Sequence, residues 1–313
     1  MTIGIVAAGP RAGLAVYAAL QAVERVAQGA IGGFASFAVV TETAVLRHET
    51  QRGGTATLFT AGEQTGGPPG TAVAEARLAG VMSSGPDRPV PLAQFLPALP
   101  GIGLVSGHRL PNMPGRDGQP INQAVLTLLQ KGLAPAEAVA QVLDANPLAD
   151  AGVIAGTLDG RIHAANSSRV DSRPDLGSAR GSLGGATVEV LHNAVFPVAP
   201  LATLAVEVAL DTMLSRLDPD GEVVLRSGIP VTFGAEDKLL VDAGMNVVEV
   251  QTTDPRLIAG TWNCAAVYLG SKVLCDGAVL GTTAVEPNIV VEEGQTLTMS
   301  GQEEVRIGFR RAR

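Results

Sequence analysis

A hydroxyl beside a basic nitrogen is the simplest nucleophile a chain can build, and two threonines here are placed to make one. Thr2 follows Met1 directly. Once Met1 is removed, its hydroxyl and its own α-amine form a nucleophile–base pair within one residue. An α-amine has an ordinary pKa of about 8, so it accepts the hydroxyl proton near neutrality. The competing reading is that Thr2 merely begins a strand. Thr55 offers related chemistry in Arg52-Gly53-Gly54-Thr55-Ala56-Thr57, where a Gly–Thr bond after a strand is a self-cleavage point because glycine tolerates strained geometry. The competing reading there is a loop closing a hairpin. Thr157, after Gly156, repeats the arrangement more weakly.

Three further groups supply polar chemistry. The loop Ser106-Gly107-His108-Arg109-Leu110-Pro111-Asn112 sets an imidazole, a guanidinium and an amide between backbone breakers. In it His108 is a candidate proton relay, Arg109 a bidentate clamp for a carboxylate, and Asn112 an oxyanion donor. A rigid loop satisfying its own carbonyls would use the same residues. Asn166-Ser167-Ser168-Arg169 ends a strand and is followed by Arg173 and Arg180, donors suited to an anionic substrate or to a solvated charged loop. The histidines His48, His108, His163 and His192 lack metal-ligand spacing, so no metal site is expected. Asn193, beside His192 at a strand end, is worth watching. No GxSxG elbow or GxxxxGK[ST] loop is present.

These residues need elements to hold them. Thr2 to Ala8 is an apolar, β-branched run that reads as a buried strand. Gly9-Pro10-Arg11-Ala12-Gly13 breaks it, and an alanine-rich helix follows over 14–28 until Gly29. This strand–turn–helix opening also suits a nucleotide-cofactor enzyme, although the turn lacks the GxGxxG order. Hairpin strands are expected near 34–40 and 44–50. From 60 to 118 glycine and proline are dense, and pieces such as Ser83-Ser84-Gly85-Pro86-Asp87-Arg88 favour an ordered wall around a site. Helices follow over 121–131 and from Pro135 to Asn146, then a hairpin turning at Asp159-Gly160. The polar stretch 171–185 reads as a linker or flap, with a strand at 187–193, a helix at 200–217 and short strands to the end. The expected organisation is a core over 1–185 with a loop insertion at 60–118, then a second half over 186–313. The order of elements points to α+β.

The composition excludes several function classes. The chain has 313 residues, 46% apolar, 17% charged and only 3% aromatic. That fits a well-packed globular protein without stacking platforms for sugars or single strands. A net charge of −8 leaves no basic footprint for nucleic acid. Cys264 and Cys275 stand too far apart for a zinc pair and read as buried thiols. No apolar run is long enough to span a bilayer, and the opening has no signal-peptide pattern, so a cytoplasmic protein without membrane attachment is expected. A small-molecule substrate and no cofactor are expected, and alanine-rich, low-charge helices suggest a homo-oligomer.

The chain resembles the N-terminal-nucleophile (Ntn) hydrolases. The resemblance rests on Met1-Thr2-Ile3-Gly4-Ile5-Val6-Ala7, and on Lys131-Gly132-Leu133-Ala134-Pro135 through Asn146-Pro147 to the hairpin VIAGTLDGRIHAANS. It implies a layered αββα sandwich and hydrolysis of an amide bond. In relatives that cut themselves, a threonine begins a hairpin strand; here that hairpin begins Asp150-Ala151-Gly152, which leaves Thr2 or Thr55 as nucleophile. The stretch after Ser168 resembles those enzymes' substrate loop. The reading is an amidohydrolase for a small anionic amide or lactam. Thr2 or Thr55 attacks, an α-amine or His108 moves the proton, Asn112 or backbone N–H groups hold the oxyanion, and Arg109, Asn166, Ser167 and Arg169 orient the substrate. A non-catalytic ligand-binding or assembly protein on the same scaffold is the alternative.

Overall fold

The computed structural model describes residues 1–61, 64–214 and 219–311. The chain divides into two compact units, Met1–Ser215 and Arg216–Arg313. The first carries the α-helices of the described residues and is built on two sheets. Its elements are β1 (Thr2–Ala8), α1 (Ala12–Val26), β2 (Ala35–Val40), β3 (Val45–Thr50), β4 (Leu78–Ser84), β5 (Gly103–Arg109), α2 (Ile121–Gln130), α3 (Pro135–Ala145), β6 (Ala151–Thr157), β7 (Ile162–Asn166), β8 (Leu176–Leu183), β9 (Ala186–Asn193) and α4 (Val198–Leu214), besides short turns and helices.

Six strands make the first sheet in the order β8-β9-β1-β4-β2-β3, and β7-β6-β5 with the short Ala98–Leu99 strand make the second. Helices α1 and α4 pack together against the first sheet, and α2 and α3 pack against the second, while β1, β4 and β9 contact β5 across the space between the sheets. A strand covered on both faces should be apolar throughout rather than alternating. β1 obeys this, with all seven residues buried.

Alternation still decides which layer each residue meets, because successive side chains point to opposite faces. Ile3, Ile5 and Ala7 join the core under α1 and α4, whereas Val6 and Ala8 join Leu78, Leu104, Ile154 and Leu191 between the sheets. The same parity turns Thr2, Ser84, His108, Asn166 and Asn193 toward the inter-sheet space. Val105, Val153 and Ala155 instead join the core beneath α2 and α3.

Three expectations are corrected. The region 60–118 is not one loop wall: it supplies β4 and β5, central strands whose Gly80 and Gly103 or Gly107 disguise them as loop in the text. A division at residue 185 would cut between β8 and β9, which pair antiparallel along their whole lengths; the expected flap at 171–185 is mostly that edge strand. The opening strand and helix do not begin a parallel dinucleotide-binding unit either. β1 runs antiparallel to both β9 and β4, where such a unit needs parallel neighbours.

The second unit is nearly all β. A seven-stranded and a three-stranded sheet enclose a core of their own that includes Val223, Leu239, Val250, Val273 and Ile307. Cys264 and Cys275 are free and half-buried. No helix among the described residues is long and apolar enough to cross a membrane.

Candidate active site

Thr2 opens β1, third strand in a sheet of six, and is tied by pairing to Ser84 of β4 on one side and Asn193 of β9 on the other. Its Oγ1 donates to Asn193 Oδ1 at 2.6 Å and accepts the Arg109 backbone N–H at 2.7 Å. The two sheets can approach this closely because Gly4 faces Gly107: a Cβ on Gly4 would lie 2.5 Å from the Gly107 carbonyl oxygen. Arg109 (φ 65°) and Ala194 (φ 51°) are both left-handed. Each follows a site residue, and such strained positions gather where chemistry holds them.

His108 stands behind this pair, fully buried. Its Nδ1 lies 3.3 Å from Asn193 Oδ1 and its Nε2 2.7 Å from Asn166 Oδ1. Burial pushes its pKa down to about 4, so the ring is neutral at physiological pH. A neutral imidazole carries a single N–H, so it donates to one asparagine and the other must present its amide nitrogen. Asn193 Oδ1 is already the acceptor for Thr2, so Asn166 is the one that turns its nitrogen to the ring, and Asn193 Nδ2 is buried with no partner among the described residues. His192 Nδ1 is likewise unpartnered, but His192 faces the helices, and its Nε2 meets the Val198 carbonyl at 3.0 Å.

In front of Thr2 opens a cleft of about 390 Å³ lined by Met1, Thr2, Met82, Arg88, Phe95, Arg109, Asn112 and Asp150, among others. Ser84 Oγ donates to the Met1 carbonyl at 2.6 Å and accepts from Arg88 Nη2. Burial, then the charges of Arg109 and Arg88, hold the Met1 α-amine below its ordinary pKa.

The expected site residues separate into those gathered here and those placed elsewhere. Thr2, His108 and Asn166 are brought together. Arg109 is present, with its guanidinium paired to Asp150 through Nε and Nη2 at 2.9 and 2.6 Å; what reaches Thr2 is its backbone N–H. That pair holds the Asp150 carboxyl below the usual range. Asn112 lines the cleft but spends its amide on Gln94 Oε1 at 2.8 Å. Thr55 is bound by main chain and hydroxyl to Glu24 of α1, on the helical side of the first sheet. Ser167 caps the short helix Ser168–Asp171 and donates to the Ala149 carbonyl, and Arg169 is exposed. Ser84 and Arg88 were legible only as part of a wall segment. Asn193 showed only as a polar residue ending an apolar strand.

A family model described as a domain of unknown function (DUF6963) matches residues 2–222, and a second, described as a domain of unknown function (DUF7259), matches residues 228–304. No curated protein matches the chain at a significant level. Among solved structures, the chain is similar to the glutamine phosphoribosylpyrophosphate (PRPP) amidotransferase from B. subtilis complexed with ADP and GMP. The TM-score is 0.34 at 12% identity, over 61% of this chain and 41% of that one. The chain therefore spans about two fifths of that protein's length.

Proposed function

The chain belongs to the DUF6963 family, and we propose that its first unit is an N-terminal-nucleophile amidohydrolase acting on a small anionic amide, with Thr2 as nucleophile. One observation carries the reading. The Thr2 hydroxyl sits at a cleft floor, held by a backbone N–H and by the amide oxygen of a buried asparagine whose nitrogen has no partner among the described residues. The succession of helices, sheet, sheet and helices supports reading the unit as an αββα sandwich, and the protein is read as cytoplasmic and self-associating.

Cleavage of the Met1–Thr2 bond frees the base. The Thr2 α-amine then takes the hydroxyl proton while Oγ1 attacks the amide carbonyl carbon. Negative charge moves to the carbonyl oxygen, where Asn193 Nδ2, without a partner among the described residues, is the donor, while the Arg109 N–H stays on Oγ1. The C–N bond breaks as the leaving amine takes the proton from the α-ammonium, leaving an ester on Oγ1. Water, deprotonated by the same amine, hydrolyses the ester and returns the proton to Oγ1.

His108 is not the base in this scheme. It touches the two asparagines rather than Thr2, and burial makes it a poor proton acceptor; it is a positioning residue for Asn193. Thr55, committed to Glu24, has no part.

Intact-mass spectrometry of the purified protein should show loss of Met1. Thr2→Ala should abolish turnover on an amide panel, and Thr2→Ser should retain some. A chain that keeps Met1, or unchanged turnover in Thr2→Ala, would refute a threonine nucleophile. Ligand binding without turnover in the processed chain would favour the non-catalytic alternative.

A further inference from the structure

The Met1 carbonyl accepts from one donor, which a second donor backs. Ser84 O–H donates to it at 2.6 Å, and Arg88 Nη2 reaches the same serine oxygen. The backbone of Arg88 is clamped from both sides by one side chain: its N–H donates to Gln51 Oε1 at 2.9 Å, and its carbonyl accepts from Gln51 Nε2 at 2.7 Å. The guanidinium is thus carried on a fixed strand exit rather than a loose loop.

Arg88 is also unusual in its neighbourhood for lacking an acid. Arg109 is paired with Asp150 and Arg173 with Asp175. The carboxylate adjacent in sequence, Asp87, is taken by Arg52 at 3.1 and 2.6 Å. Among the described residues no carboxylate pairs with Arg88. A cation left unpaired beside a cleft, with a hydroxyl already oriented by it, is arranged for an acceptor oxygen from outside.

We infer that Ser84 and Arg88 form the substrate's carboxylate subsite, which the Met1 carbonyl fills until Met1 departs. The inference rests on the Thr2 amidohydrolase reading and names the part of the substrate that reading leaves open. Loss of Met1 strips Ser84 of its acceptor, and a buried hydroxyl backed by a half-buried cation then favours an incoming anion. The expected clamp, Arg109, is instead charge-paired with Asp150 through Nε and Nη2, which leaves Arg88 as the cation in the cleft lining without a paired carboxylate among the described residues. The position also sets a length. The Met1 carbonyl oxygen is joined to Thr2 Oγ1 through a few covalent bonds, a separation on the order of 4–5 Å. The carboxylate must therefore lie within about three carbons of the scissile carbonyl, given about 1.5 Å per carbon–carbon bond. The substrate class is a short monoamide of a dicarboxylic acid or a comparably small amide with a nearby carboxylate. Apolar Met82, Phe95 and Leu110 beside it suit its methylene groups.

The test uses full-length processed protein in two arms. In the first, kcat/KM is measured for succinamate and glutaramate against neutral butyramide and valeramide. Wild type should prefer the carboxylates, and Arg88→Gln should erase that preference by about 10- to 100-fold while turning over the neutral amides, with Arg88→Lys between. In the second, succinate binding is measured by calorimetry on Thr2→Ala whose loss of Met1 is confirmed by intact mass, alone and combined with Arg88→Gln or Ser84→Ala. Binding lost with Arg88→Gln and weakened with Ser84→Ala supports the subsite, even if wild type hydrolyses no amide, in which case only the hydrolase reading falls. No succinate binding to Thr2→Ala, or binding unchanged by both substitutions, overturns the subsite. Should Arg88→Gln not fold, unchanged binding in the Arg88→Lys and Ser84→Ala backgrounds overturns it equally.

Discussion

Gly152→Ala tests the inter-sheet site through packing alone. Gly152 is the direct partner of His108 across the β5–β6 pair. A Cβ there would stand 2.2 Å from Asn166 Oδ1 and 2.3 Å from His108 Nε2, where ordinary contact begins at 3.4 Å. The ring or the amide must retreat by roughly 1 Å, the shortfall between those contacts, and the hydrogen bond between them breaks. The loss of a buried bond costs about 1–3 kcal/mol, and forcing a methyl into a filled space costs a further 1–3 or so. The expected destabilisation is thus about 2–6 kcal/mol. It is measured by urea unfolding followed through the helical band of the far-UV circular dichroism, because the α-helices of the described residues lie in the first unit. The decisive comparison is a double-mutant cycle with His108→Ala, which removes the ring that the methyl strikes. The two costs should fall well short of additive, by 1 kcal/mol or more. A Gly152→Ala protein within about 0.5 kcal/mol of wild type, or strict additivity with His108→Ala, would refute the reasoning.

Other expectations follow from the same geometry. Asn193→Ala should lower kcat on an amide substrate by about 10²–10³ with a smaller change in KM, as for a lost oxyanion donor; a KM effect alone would move Asn193 out of that role. Acid should unfold the first unit early. His108 is held neutral to about pH 4 when folded but protonates near 6.5 when unfolded, so its contribution is complete above about 6.5 and declines as pH falls toward 4, by on the order of 3 kcal/mol. His192, also lowered by burial, acts in the same direction, and a pH-stability profile of His108→Gln should flatten in that window. Thr55→Ala should cost stability without reducing turnover, and a turnover loss comparable to that of Thr2→Ala would reinstate Thr55 as a nucleophile. Arg109→Ala should strand Asp150 and cost about 1–3 kcal/mol as a broken charged hydrogen-bond pair; an unchanged unfolding midpoint would mean the pair contributes nothing.

Local physics made much of this legible. β1, the β2–β3 hairpin and the hairpin turning at Asp159-Gly160 read directly because apolar runs and turn chemistry agree there with the fold. Thr2 and His108 were recognisable by residue type. Partners set far apart in the chain were not. Nothing near Arg109 in sequence announces that Asp150 will absorb its guanidinium, and nothing near Thr55 announces Glu24. β4 and β5 escaped notice because glycines that let the sheets touch look, in a linear text, like glycines that make loops. Asn193 was noticed for the company of His192, yet alternation sends the two to opposite faces.

The two units keep separate apolar interiors, and that governs how the molecule must be watched as it melts. The chain's single tryptophan, Trp262, belongs to the β-rich unit, so indole emission follows that unit's own interior. A chain with two such interiors calls for a calorimetric trace tested for two transitions before one is fitted. An inhibitor seated in the cleft should lift the melting followed through the helical band, since the α-helices of the described residues lie in the first unit.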